Sequence, residues 1–244
     1  MVLESSLTFT VLRWSRWSAR AGSGGLCRQC GPEGLQERQL EAPDLRHIPP
    51  LKRRRLSPLA RAVFHTLNYC DPDAELPLVF SSAMGEINRT HGLLHQLAVA
   101  GDISPAAFSL SVHNAIAGLW SVQRNNTRPM QALAPRARSP VPALLEAIGQ
   151  LHEGCDSVAL VFAEEDYPDF YAPWLESPAG PSALALCLGS GERDAVARLR
   201  LQFAGGDSAP DSGGNAGALD RLLAGEPAVR IDEGGCSWML EHVA

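Results

Sequence analysis

No run of about 18 apolar residues occurs in the chain, which excludes a membrane-spanning helix. There is no Gly-x-Gly-x-x-Gly turn and no Walker-type phosphate loop, so a nucleotide-dependent enzyme has no motif to rest on. The Gly-x-Ser-x-Gly elbow of serine hydrolases is missing too. Positive charge is in deficit: 21 Lys and Arg face 27 Asp and Glu, for a net charge of -6. Non-specific nucleic-acid binding needs a positive field to meet phosphates and is excluded on that ground. The six cysteines are scattered, with no framework of regular spacings. Cys27 and Cys30 form one C-x-x-C in a glycine-rich stretch, but a structural zinc takes about four ligands and no second C-x-x-C is present. They read as loop cysteines in a reducing cytoplasm, with no disulfide framework, metal or cofactor implied.

What remains is ordinary globular material. Hydrophobic residues make up 45% and charged residues 20% of 244 positions, enough to bury a substantial core. Leu7 to Arg20 carries arginines and no acids, the composition of a transit peptide, yet its alternation (Phe9, Val11 and Arg13 opposite Thr8, Thr10 and Leu12) predicts an opening strand. A secretory signal is not expected, because no long apolar run precedes a small-residue cleavage site.

Residues 20–50 hold Gly22, Gly24, Gly25, Gly31, Pro32, Pro43, Pro49 and Pro50 and read as loop. Ser57-Pro58 then opens a helix, serine as N-cap and proline at its first position, with Leu59, Val63, Phe64 and Leu67 on one face. Leu76 to Ser81 reads as a strand buried on both faces. A helix follows through Leu93, Leu94, Leu97 and Val99, and Ser104-Pro105 starts another turn or helix. Further elements are a helix over Pro142 to Leu151, strands over Val158–Ala163, Ser182–Gly189 and Ala195–Phe203, and a short helix over Ala218–Leu223. The Gly/Ser/Asp-rich stretch 204–217 reads as loop. Interleaved helices and buried strands predict a layered α/β fold built as a single domain over residues 1–244.

Polar residues offer several candidate sites. His113 lies near Ser109 and Ser111, and with Ser111 or Ser82 it could serve a stand-alone acyl hydrolase or transferase. Such a pair still needs an orienting group and an oxyanion hole, so a buried, hydrogen-bonded histidine is the simpler expectation. Ser81, Ser82 and Gly85 follow a strand, where α/β folds bind ligands, although Gly85 alone accounts for a tight turn. Glu164, Glu165, Asp166 and Asp169 read as a solvated loop rather than a metal site. Lys52, Arg53, Arg54 and Arg55 form a basic run ahead of the Ser57 helix.

Four segments, taken together, carry a resemblance. They are Leu12-Arg-Trp-Ser-Arg-Trp17, the run from Leu51 to Arg61, Val79-Phe-Ser-Ser-Ala-Met-Gly-Glu86, and Ser104 to Gly118 with its Ser111-Val-His-Asn-Ala115 string. In this order they resemble the ketosynthase-like N-terminal domain family found in aryl-polyene and related pigment gene clusters. The resemblance covers roughly residues 7–190 and implies an α/β, thiolase-like fold, N-terminal half only.

In a full ketosynthase, the segment matching Phe108 to Gly118 is a helix at the dimer interface that helps wall the acyl pocket. The catalytic cysteine follows at a helix N-terminus, where the helix field lowers its pKa. Counting back from Leu144-Leu-Glu-Ala147 puts that position near Ala137, in Pro135-Arg-Ala-Arg-Ser139, and no cysteine lies between Cys70 and Cys155. An alanine cannot form a thioester, and the chain ends before the region that would supply the two catalytic histidines. The resemblance therefore implies no catalytic residues of its own and a role like that of a chain-length factor. Such a cytoplasmic subunit pairs with an active ketosynthase as a heterodimer and shapes its acyl tunnel in fatty-acid, polyketide or polyene biosynthesis. The tunnel and interface candidates are Phe108, Leu110, Val112, His113, Asn114, Ile116 and Trp120. Lys52 to Arg55 are candidates for contact with an acyl carrier protein.

Overall fold

The computed structural model describes residues 6–20, 24–191, 194–206, 215–233 and 235–243. Its organising element is β1 (Ser6–Ala19), the strand anticipated from the Phe9/Val11 alternation. It pairs antiparallel with three strands, which its 14 residues make possible: β7 (Ser182–Gly189) along one edge, β8 (Ala197–Gly206) and β2 (Gly25–Gly31) in succession along the other.

Segment 20–50, expected as loop, instead holds a hairpin of β2 and β3 (Gly34–Leu40). Its physical basis is Gly34 at φ 94° in the turn and Gly25, where a Cβ would meet the Trp17 ring at 2.4 Å. The stretch 204–217 departs as well. Residues 204–206 complete β8, with Gly205 and Gly206 paired to β10, Asn215–Gly217 form a 3-10 turn, and 207–214 lie outside the described residues.

The remaining elements follow in chain order. Helices α1 (Pro50–Arg53) and α2 (Pro58–Cys70) lead into β4 (Leu78–Ser81), then α3 (Ile87–Ala100), α4 (Pro105–Phe108) and α5 (Ala115–Arg124). Next come β5 (Met130–Leu133), α6 (Val141–His152), β6 (Ser157–Glu164) and the β7–β8 pair already placed. Helix α7 (Ala218–Leu223) and the hairpin β9 (Ala228–Glu233) and β10 (Cys236–His242) close the fold. All strands join one sheet of order β5-β4-β6-β7-β1-β8-β10-β9, with the β2–β3 hairpin branching from β1. Only the β5-β4-β6 end is parallel.

Both sheet faces are covered, and strand alternation sends successive side chains to separate cores. Ala159, Val161 and Ala163 of β6 with Ala183, Ala185 and Cys187 of β7 face α2 and α5, whereas Val158, Leu160, Leu184, Leu186 and Leu188 face α6 and α7. The alanines let α2 lie close across β1, β6 and β7. That helix is buried nearly all round, including Thr66 and His65. Its start is as read from sequence: the Ser57 hydroxyl accepts from the Ala60 amide at 3.0 Å, and Pro58 fills the first turn. No helix among the described residues is long and apolar enough to cross a membrane.

Candidate functional site

The parallel strands β5, β4 and β6 end together, and the loops leaving them form the region where α/β sheets place ligands. After β4 the Ser82 amide donates to Leu133 O at 3.1 Å, tying this loop to β5. The Ser82 hydroxyl accepts from the Gly85 amide at 2.8 Å. Gly85 has φ 56°, and a Cβ there would stand 3.2 Å from the His113 backbone, so both conformation and space require glycine. His113 packs edge-on against Phe80 and brings Nε2 to 2.7 Å from the Ser82 carbonyl oxygen. An imidazole nitrogen facing a carbonyl must donate, so Nε2 is no base for a hydroxyl. The Ser111 hydroxyl donates to Phe108 O instead, at 2.8 Å. Neither serine hydroxyl is paired with His113.

After β6 the acids behave differently from the solvated loop expected of them. Asp166 and Asp169 are exposed, but Glu165 is 6% exposed and accepts the Asn88 amide at 3.2 Å. Glu164 accepts the Ala83 amide at 2.7 Å. Burial lifts the Glu164 carboxyl to about 7 against the pull of that bond and of Arg138, and it also raises Glu165. The reason is topological: strand β6 delivers these carboxylates beneath the β4 loop, whose amides need acceptors. Glu86, buried in the same loop, accepts from the Ser57 hydroxyl and from Arg89 Nε at 3.1 Å, locking the loop to α2.

After β5 the chain makes a strand–turn–helix passage into α6. At its apex Ala137 has φ 50° and ψ 29°, followed by Arg138 at φ 55°. These left-handed conformations are costly for residues with a Cβ. Where the resemblance places a nucleophilic cysteine, this bend presents a methyl group. It borders a cavity of about 200 Å³ lined by Arg136, Ala137, Asp232 and Gly235.

The segment implied to be one helix over Phe108–Gly118 is broken. Helix α4 stops at Phe108, and α5 starts at Ala115. Between them Ser109 and Ser111 bond back to the carbonyls of Ala106 and Phe108, and Thr90 donates to Ser111 O. Such side-chain-to-backbone bonds compete with helix continuation. The tunnel candidates consequently divide. Phe108 and Val112 are exposed, Leu110 and His113 are half-buried, and Asn114 is exposed at the start of α5. Ile116 and Trp120 point into this chain's own core, Trp120 lying 5.2 Å edge-on from Phe64. Both are core residues of this chain.

In the basic run, Lys52, Arg54 and Arg55 are exposed, whereas Arg53 spends its guanidinium on the carbonyls of Ile48 and Arg46. Cys27 and Cys30 lie on strand β2, three positions apart, so they face opposite sides and belong to different cores. Cys27 Sγ meets His65 Nε2 at 3.2 Å, a pairing the sequence did not signal. The reading also missed His91 and His95, spaced H-x-x-x-H on α3; the His91 ring lies tilted against Phe170 and edge-on to Tyr171. No cluster able to hold a metal ion occurs among the described residues.

The β-ketoacyl synthase N-terminal domain model matches residues 27–239, and the chain therefore belongs to that family. Among solved structures, a chain of the ketosynthase ApeO in complex with its chain length factor ApeC from Xenorhabdus doucetiae is similar at TM-score 0.73 and 22% identity, with 96% of this chain and 99% of that one covered. The ishigamide ketosynthase/chain length factor aligns at TM-score 0.54 and 18% identity, over 89% of this chain and 73% of the other. A β-ketoacyl synthase from Burkholderia phymatum STM815 aligns at 0.51 and 12%, over 90% and 69%. These likenesses establish the α/β, thiolase-like fold of the N-terminal half. No curated protein matches the sequence.

Proposed function

We propose that this chain is a non-catalytic ketosynthase-like subunit that pairs with an active ketosynthase and shapes its acyl tunnel. The observation that carries the reading is a set of large apolar side chains left exposed on α3, on the segment that follows it and on the loop after β6. Leu94, Leu97 and Val99 of α3, Phe108 and Val112, and Phe170 with Trp174 are all exposed. His91 connects α3 to this aromatic group, its ring centroid 5.8 Å from that of Phe170. Exposed apolar area of this kind marks a protein-binding surface, and the occupant we assign is the ketosynthase. Two further points support it: the resemblance puts the nucleophile position near Ala137, in the β5–α6 bend, and the ApeO–ApeC structure is one of a ketosynthase in complex with its chain length factor.

The tunnel role is steric. A side chain protruding from this face into a shared cavity stops chain extension at a fixed length, and Phe108 is the bulkiest exposed candidate from the sequence reading. Phe108→Ala should shift the product distribution of the reconstituted pair toward longer chains, and Phe108→Trp toward shorter ones, by an extension step or more. Mass spectrometry of the products reads this directly. A distribution unmoved by both variants assigns the chain a purely stabilising role. The pathway we assign is fatty-acid, polyketide or aryl-polyene-type biosynthesis in the cytoplasm, with an acyl carrier protein presenting the chain.

A further inference from the structure

A second cavity, of about 360 Å³, lies behind the β5–α6 bend and uses none of the residues assigned to pairing. This is within the size range of small-molecule sites, at its lower end. Phe162, Leu184 and Leu219 give it an apolar floor, and its charged groups are Arg16, Asp220, Arg138 and Glu164. Arg16 and Asp220 satisfy each other at 3.1 Å, and Arg16 Nε also donates to the Ser18 hydroxyl at 3.1 Å. Arg138 is engaged far more weakly. Its carboxylate partner Glu176 is 3.9 Å away and 91% exposed, an ion pair of little energetic value. On Glu164, Oε1 takes the Ala83 amide, while Oε2 has only the Tyr167 hydroxyl at 3.4 Å.

We propose that this cavity binds a small carboxylic acid, its carboxylate held between Arg138 and Glu164 and its apolar body resting on Phe162, Leu184 and Leu219. The guanidinium supplies the planar donor fork that suits a carboxylate. Glu164 supplies the complementary donor when protonated, and burial has brought its carboxyl to about 7, so that form is abundant near neutrality. The groups facing it are Arg138 from the bend, Tyr167 and Glu165 on its own segment, and Arg16 with Asp220 across the cavity. The last two cancel each other's charge, leaving Arg138 to set the sign of the ligand. Size and the apolar floor select a compact monoacid.

Calorimetric titration of the full chain with hexanoate and benzoate tests the site, with hexylamine as the opposite charge. Saturable uptake of an acid is expected, about tenfold weaker at pH 8 than at pH 6, as the competent protonated fraction falls. Arg138→Gln should abolish it, and Glu164→Gln, whose amide donates at any pH, should keep it and flatten its pH dependence. The proposal is overturned by no uptake of either acid, by equal affinity at both pH values, by unchanged binding in Arg138→Gln, or by hexylamine binding in their place.

Discussion

Glu164 accepts an amide hydrogen bond at 2.7 Å, yet burial outweighs that bond and carries its carboxyl from 4.5 to about 7. The sign follows from which state holds the proton. Between those values the folded chain retains a proton that the unfolded chain has released, so stability falls as pH rises through the window and levels off above it. The loss is bounded at about 3 kcal/mol. Glu164→Gln keeps an acceptor for the Ala83 amide and carries no charge. Its melting temperature should match the parent's near pH 5 and exceed it by several degrees at pH 8, since about 1 kcal/mol moves a domain of this size by roughly 2–4 °C. Melting curves displaced equally at both pH values would refute the assignment. At this scale the sequence showed what depends on neighbours in the chain. The Ser57 cap and the need for Gly85 were legible. The burial of Glu164 was not, because its partner amide lies 81 positions away.

Elements were legible where burial wrote a pattern. Helix α2 has a cap, a proline and a buried face, and β6 and β7 are continuous apolar runs. The β2–β3 hairpin was not, since β3 is exposed along nearly its whole length and so carries no apolar alternation. Strand β5 is four residues long and is defined by its parallel partner β4. The β9–β10 hairpin did carry a signal, Gly234-Gly235 between two alternating runs, which the reading passed over. Helix α1 and its flank bear a prediction of their own. With Arg53 occupied by backbone carbonyls, Lys52, Arg54 and Arg55 are the exposed charges, and our reading assigns them to encounter with an acidic carrier protein. Complementary charge acts mainly on association rate. Reversing these three to glutamate should lower carrier-dependent turnover about tenfold at low ionic strength and less at high salt. Stopped-flow rates insensitive to the reversal at low salt would remove the carrier from this surface.

Across the whole molecule, both sheet faces are filled from within the chain by α2 and α5 on one side and α6 and α7 on the other. The large exposed apolar residues of α3, Phe108, Val112, Phe170 and Trp174 gather outside those cores. That division is why family and fold were readable from ordered motifs, while the surface we assign to pairing was read only in part, at Phe108 and Val112. An interface on a segment of short elements such as 101–114 leaves no periodicity, and two of the implied contacts, Ile116 and Trp120, are buried in this chain's own core. Co-expression with a ketosynthase encoded beside this chain, followed by size-exclusion chromatography with mass determination, tests the pairing most directly. The account predicts a stable complex with one copy of each chain. It also predicts that Leu94→Glu with Trp174→Glu separates the two chains while leaving this chain's own melting almost unchanged, because both positions are exposed, at 55% and 69%. A chain that elutes alone beside its ketosynthase, or a complex indifferent to the double variant, would contradict it.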